Sequence, residues 1–401
     1  MKPERTDFKP TGGDSMQKTV KTEKTPIKLW LDDIEPGALA QARNLANLPF
    51  AFHHVAIMPD AHQGYGMPIG GVLATTGVVV PNAVGVDIGC GMCAVPSSLT
   101  AIDRSDLKKV IETVRKKIPL GFKHHKSAQD KSRLPGLQGK LPMVEQEYRN
   151  ALYQVGTLGG GNHFIEIQRG SDSLIWLMVH SGSRNLGFRV ANHYNRLAIE
   201  INRKTHSPIP KAWQLAHLEL DSAAGRLYMA EMRYCVEFAL RNRMLMMERV
   251  EEALAEVLGT VTFGEMINIA HNYAAAEQHF GREVIVHRKG ATSAAKGELG
   301  IIPGSQGSNS YIVRGLGNPE SFSSCSHGAG RRMGRKEAQR SLDLEQEKSK
   351  LDRLGVIHAL RGRRDLDEAP GAYKEIIRVI SAQEDLVEVV LELTPLAVIK
   401  G

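Results

Sequence analysis

Cysteine is scarce in this 401-residue chain: only Cys90, Cys93, Cys235 and Cys325 occur. That excludes a disulfide-built scaffold and leaves thiol or metal chemistry as the use for sulfur. Aromatic residues make up only 5%, which points to chemistry carried by loops rather than by extended stacking platforms. No apolar run approaches the roughly 20 residues of a membrane span, and the opening MKPERTDFKP has no apolar core of a secretory signal, so a cytoplasmic protein is expected. A Walker A phosphate loop is also missing; GYGMPIGG is only a loose glycine loop.

Glycine and positive charge are plentiful instead, with 39 glycines and a net charge of +7. The charge is uneven: residues 103–133 hold ten Lys/Arg against four acids, and 331–364 hold eleven against five. Solvated helix faces produce such runs, and a polyanionic partner explains their concentration. Residues 1–25 read as a flexible polar tail, followed by short β-like runs and glycine loops from Ile27 to about Ala101. Leu107, Val110, Ile111, Val114 and Ile118 predict a helix capped by Asp103 or Ser105. HFIEI and LIWLMVH predict strands, 187–259 reads as mostly helical with Gly259 as C-cap, and one charged helix is expected over about 335–354. No fixed-period repeat and no clear linker interrupts 26–401, so one α+β domain is expected there.

Several short stretches carry chemistry. GVDIGCGM sets Asp87 and Cys90 three residues apart among glycines, where carboxylate and thiolate can reach one borderline or soft transition metal. The competing reading is a glycine turn with a buried free thiol. GGGNHFIEI adds Asn162, His163 and Glu166; period two puts Asn162 and Glu166 on one face with His163 opposite, and a capping Asn with a satisfied core His is the alternative. VHSGSRNLG supplies His180 and Arg184, SCSHGAGRR repeats the same interval with His327 and Arg331, and IAHNY contributes His271. Asp87, Cys90, His163, His180 and His271 offer more ligands than one tetrahedral ion needs, so two metals bridged by the thiolate are a plausible use. His327 then remains as a candidate nucleophile toward phosphorus. Small residues around it, Gly328 and Gly330 among them, let the backbone approach a bound nucleotide.

From about Ile27 to Gly401 the chain resembles the RtcB-type RNA ligases, GTP- and manganese-dependent RNA-splicing enzymes. The stretches that carry the resemblance are MPDAHQGYGMPIGG, GVDIGCGM, GGGNHFIEI, VHSGSR, AHNYA, RKGAT, IPGSQG, CSHGAGR, APGAYK and the terminal KG. The resemblance implies a domain with β-sheets around a deep metal-containing cleft and helices at its periphery. It implies Asp87, Cys90, His163, His180 and His271 as ligands of two Mn²⁺, and His327 as the histidine that takes GMP from GTP. Asn162 then contacts phosphate and Arg184 the RNA phosphate. Glu166, Ser305, Tyr373 and Lys400 surround guanosine, and Asp60 and His62 form a functional Asp-x-His motif. Asn185 departs from the glycine frequent after HSGSR, and residues 1–15 have no counterpart.

The implied reaction joins RNA ending in a 2′,3′-cyclic phosphate or 3′-phosphate to RNA with a 5′-hydroxyl, in tRNA splicing or RNA repair. A cyclic end is opened by metal-activated water, GMP passes from His327 to the 3′-phosphate, and the 5′-hydroxyl displaces it. Two other readings stand beside this one: a metal-dependent RNA cyclic phosphodiesterase or phosphatase without ligation, and a non-catalytic RNA-binding protein. The apolar run LVEVVLELTPLAVIK is expected to pack into the body and hold Lys400 where its ammonium donates to the guanine O6.

Overall fold

Two large sheets organise the computed structural model, which describes residues 18–21 and 24–401. The first has six strands in the spatial order Lys18–Val20, Ile27–Leu29, Ala51–His62, Ile69–Thr75, Arg282–Lys289 and Asn272–His279. The second has seven: Ile267–Ala270, Gly91–Pro96, Ile175–Ser181, Phe164–Gly170, Val387–Lys400, Ser310–Gly315 and Leu299–Ile302. The tail expected over residues 1–25 lies largely outside the described residues. Within that range Lys18–Val20 pairs antiparallel with Ile27–Leu29, so the first sheet reaches into it. Among the described residues no helix is long and apolar enough to cross a membrane.

Local sequence explains most elements. Every residue of Ile175–Ser181 is buried, as a near-continuous apolar run in a central strand requires, and His180 sits at its end. Arg282–Lys289 returns from Asn272–His279 through Phe280 and Gly281, both at positive φ (48° and 74°), the pair of conformations a tight right-twisted hairpin needs. Arg104–Lys117 is helical with Leu107, Val110, Ile111 and Val114 buried; Asp103 is its N-cap residue, although its side chain makes no capping bond. The 36-residue helix Ala223–Leu258 starts where Ser222 accepts from the Gly225 N–H and stops at Gly259 (φ 82°); its Leu245, Met246, Met247 and Val250 are core.

Two expectations need correction. Residues 36–46 form a helix within the region read as strands and glycine loops: Pro36 supplies a favoured first position, and Ala38, Ala42 and Leu45 make a buried stripe at helical spacing. The charged helix expected over 335–354 is two, Arg335–Ser341 and Leu344–Arg353. Leu342 is extended, and Asp343 caps the second helix by accepting from Gln346 N–H.

The long helix also carries two buried polar residues at its middle. Asn242 Oδ1 accepts from the Gly156 and Thr157 N–H groups (2.7 and 3.2 Å), and its Nδ2 donates to Thr157 O, Ser181 Oγ and Gly182 O. Arg243 donates to Asn268 Oδ1, Gly89 O and Ser181 O, each at 2.8–2.9 Å. Four segments that the sheets bring near one another, around Gly89, Gly156, Ser181 and Asn268, are thereby pinned to one helix. Asn242→Ala would strip these bonds from buried backbone groups; a loss of about 3 kcal/mol in unfolding free energy by urea titration is expected. Arg241→Ala, at the exposed neighbouring position, should change it by less than about 0.5 kcal/mol.

A candidate metal and nucleotide centre

The pinned segments meet at a cavity of about 1740 Å³. Asp87 and Cys90 arrive on a turn closed by Cys90 N–H donating to Asp87 O (3.1 Å). Gly89 in that turn has φ 74° and lies so near the long helix that a Cβ would stand 2.8 Å from Val236 Cα, so only glycine lets the loop approach. His271 joins by donating its N–H to Cys90 O (2.8 Å) in the bend between Ile267–Ala270 and Asn272–His279.

Cys90 Sγ, His163 and His180 offer three buried donor atoms within 4.8 Å of one another. Sγ is 3.4 Å from His163 Nε2 and 3.3 Å from His180 Nε2. The opposite nitrogens are spoken for: His163 Nδ1 donates to Leu158 O (3.0 Å) and His180 Nδ1 to Asn162 O (3.2 Å). Each Nε2 lone pair is thus left facing the thiol, the arrangement metal-binding imidazoles use. Asp87 Oδ2 lies 3.1 Å from His163 Nε2. His271 stands beyond His180, ring centroids 5.2 Å apart, with its Nδ1 buried and unpartnered.

Electrostatics fit a cation here. Burial raises the Asp87 carboxyl, while the adjoining His163 imidazole and the Arg184 guanidinium together hold it below its usual range. Burial and the Asp87 charge push the Cys90 thiol up, and burial keeps His180 and His271 neutral. A bound transition metal would reverse the thiol's preference, since coordination replaces the lost hydration of the thiolate.

His327 adjoins His271, with ring centroids 4.8 Å apart. Its Nδ1 lies 2.6 Å from Asp60 Oδ2, which also accepts the His327 backbone N–H (3.1 Å). Asp60 is fully buried and is the last-but-two residue of Ala51–His62. With Nδ1 donating to this carboxylate, Nε2 keeps its lone pair. His62 lines the same cavity, its pKa lowered to about 4 by burial.

Glu166, Ser305, Tyr373, Lys400, Gly328 and Gly330 all line the cavity as well. Antiparallel pairing places Lys400 opposite Phe164 and Val398 opposite Glu166, so the chain's final strand is a central member of the sheet. Burial pushes the Glu166 carboxyl up to about 8 even with the Lys400 charge nearby. No motif pointed to Glu368, which is buried and gathers Lys400, Arg331, Arg335 (2.7 Å) and the Tyr373 hydroxyl (2.6 Å). Arg331, which follows His327 at the interval that separates Arg184 from His180, lies over the Tyr373 ring, 4.9 Å from its centroid.

Asn162 borders the cavity, but neither His163 nor Arg184 is among the described residues that line it. Arg184 stands behind His163, its Nη1 3.3 Å from His163 Nδ1 and its Nε donating to Thr157 Oγ1 (3.3 Å). The strand begins only at Phe164, so His163 sits in the preceding turn and is aimed at Cys90 by the glycine loop rather than by strand alternation.

Comparison with known proteins agrees along nearly the whole chain. The model of the family described as tRNA-splicing ligase RtcB matches residues 41–138 and 131–401. The RNA-splicing ligase RtcB of Escherichia coli (strain K12) is 39% identical over 411 residues, covering 95% of this chain and 98% of the relative. The tRNA-splicing ligase RtcB of Thermococcus kodakarensis is 30% identical, covering 95% and 96%. The RNA-splicing ligase RtcB of Mycobacterium tuberculosis (strain H37Rv) is 31% identical, covering 90% and 100%. On the strength of the family match and of these relatives, the chain belongs to the RtcB family.

Proposed function

We propose that this protein is an RNA ligase that joins RNA 3′-phosphate or 2′,3′-cyclic phosphate ends to 5′-hydroxyl ends, using GTP and two Mn²⁺, through a guanylylated His327. The observation that carries the reading is the pairing of His327 with the buried Asp60 carboxylate beside the His271–His180–His163–Cys90 row. A hydrolase acting on RNA ends could use such an imidazole as a general base, but it has no need of a nucleotide carrier or of a guanosine-sized recess beside it. The names of the relatives support the same class of reaction.

Asp87, Cys90, His163, His180 and His271 would hold the metal, which when bound supplies positive charge to phosphoryl oxygens. Asp60 orients His327 by accepting a hydrogen bond from its Nδ1–H and stabilises the imidazolium that attack creates, the role a buried carboxylate plays toward catalytic histidines. Nε2 forms a bond to the α-phosphorus of GTP as the bond to pyrophosphate breaks. An oxygen of the RNA 3′-phosphate then takes the guanylyl group, and Nε2 departs with its lone pair. Finally the RNA 5′-oxygen bonds to the 3′-phosphorus, its proton is lost, and GMP leaves. Asn162 donates to phosphate, and Arg184 acts from behind His163 by steadying that ring and the Asp87 charge. Lys400, positioned by Glu368, donates to guanine O6, with Glu166, Ser305 and Tyr373 completing the base and sugar contacts.

Incubation with Mn²⁺ and α-labelled GTP tests the proposal: an acid-labile, base-stable label on the protein is expected, and RNA-end processing without it would favour the hydrolase. His327→Ala should abolish that label while manganese content, measured by elemental analysis, stays near wild type; persistent labelling would remove His327 from its role. Cys90→Ser should lower metal content more than Cys93→Ser, because Cys93 Sγ lies 3.9 Å from Arg243 O in the core rather than beside the histidines. Equal content in the two would count against a thiolate ligand. Lys400→Ala, or loss of Lys400 and Gly401, should slow guanylylation about tenfold or more and narrow the preference for GTP over ATP while sparing metal. Unchanged nucleotide selectivity would return Lys400 to a purely structural place.

A further inference from the structure

The cleft extends well beyond the nucleotide side. From Asp87 it continues past Val86 and Gly85 to Lys289, Tyr65 and Asn82, and then to the end of the helix Arg184–Lys204 and the segment after it. Lys289 is 8% exposed, and its ammonium donates to the carbonyl oxygens of Tyr65 (2.6 Å) and Asn82 (3.0 Å). Asn82 in turn donates to Gln214 O (2.8 Å), which closes this wall. Tyr65 is therefore clamped at its backbone while remaining 77% exposed on the cavity wall.

Two further exposed apolar residues, Val86 and Ile199, line the same side. So do Arg203 and Lys211, both exposed and neither in a salt bridge among the described residues, although the Arg203 charge is felt by Glu200 one helical turn away. The carboxylate nearby, Glu35, accepts the Gln63 N–H (3.1 Å). An exposed aromatic face on a clamped backbone, with apolar neighbours and cations outside salt bridges, suits a ligand that has flat faces and regularly spaced negative charge. That ligand is an unpaired nucleic acid strand. A double helix hides its base faces in its own stack, and a bare polyanion has no use for Tyr65.

We propose that this side of the cleft holds an unpaired RNA strand running out from the metal cluster, with Tyr65 stacking on a base near the strand's end and Arg203 and Lys211 taking backbone phosphates. The assignment rests on the ligase reading for which polymer occupies the track; the track itself rests on the residues above. Binding is measured by fluorescence anisotropy on the full-length, Mn²⁺-loaded protein, using unpaired oligoribonucleotides that end in either a 3′-phosphate or a 5′-hydroxyl. Tyr65→Ala should raise Kd about tenfold for at least one of them, and the affected oligonucleotide identifies the strand. Tyr65→Phe should bind as wild type. The Arg203→Ala/Lys211→Ala double variant should flatten the dependence of log Kd on log salt by roughly 0.7 per lost contact.

Wild-type binding of both oligonucleotides by Tyr65→Ala overturns the proposal. Equal losses in Tyr65→Phe and Tyr65→Ala overturn stacking as its basis. Guanylylation needs no RNA and is followed in the same preparations: its absence from the wild-type protein would refute the ligase reading, while the binding comparison would still decide the track.

Discussion

Two adjacent residues in the middle of one helix, Asn242 and Arg243, determine whether this protein has a site at all. Apart from Asp87 and Cys90, which share one turn, the metal-ligand candidates sit on separate segments that no covalent or local feature brings together. Asn242 ties Gly156 and Thr157, ahead of His163, to Ser181 and Gly182, after His180. Arg243 ties Gly89, before Cys90, to Ser181 and to Asn268, before His271. Burying a guanidinium is costly, and here backbone carbonyls offset part of that cost. Its charge also lies behind Cys90 and Asp87, where it favours the ionised forms that bind a cation. The scaffold thus carries an electrostatic as well as a geometric part of the site.

Around the row of imidazoles the cleft has two sides of different character. Toward the chain's end, positive charge is gathered in: Glu368 takes Arg331, Arg335 and Lys400, and the tyrosine hydroxyl besides. Such a cluster holds side chains in fixed directions, which suits discrimination of one base from another. Toward Tyr65 and Lys211, cations stand outside salt bridges, which suits a flexible polyanion recognised by charge and stacking rather than by base identity. Between them, Asp60 fixes His327 where both sides open.

Sparse aromatics pointed to loop chemistry, and the centre is indeed built from glycine-bordered turns. The exposed aromatic that matters on the outer side, Tyr65, escapes composition because one ring suffices when its backbone is clamped. Lys289 lies in the stretch RKGAT, where nothing local marks it out; what distinguishes it is burial against two carbonyls without a counter-charge, which holds its pKa to about 7. The resemblance implied that Arg184 contacts the RNA phosphate; in the fold its guanidinium stands behind His163.

What the sequence by itself determined was local. The stripe Leu107–Val110–Ile111–Val114 made its helix, Gly259 ended another, and apolar runs made the strands that end at His180 and begin after His163. The chemistry was also legible, because histidines and a cysteine among glycines announce themselves by residue type. Tertiary structure alone decided which of them meet. Asp60 and His327 are 267 positions apart, and Lys400 meets Glu368 only because the last strand enters the middle of a sheet. Helix and strand periodicity is set by neighbours a few residues away. Convergence of side chains depends on sheet order, register and buried polar anchors, and no window along the chain contains those.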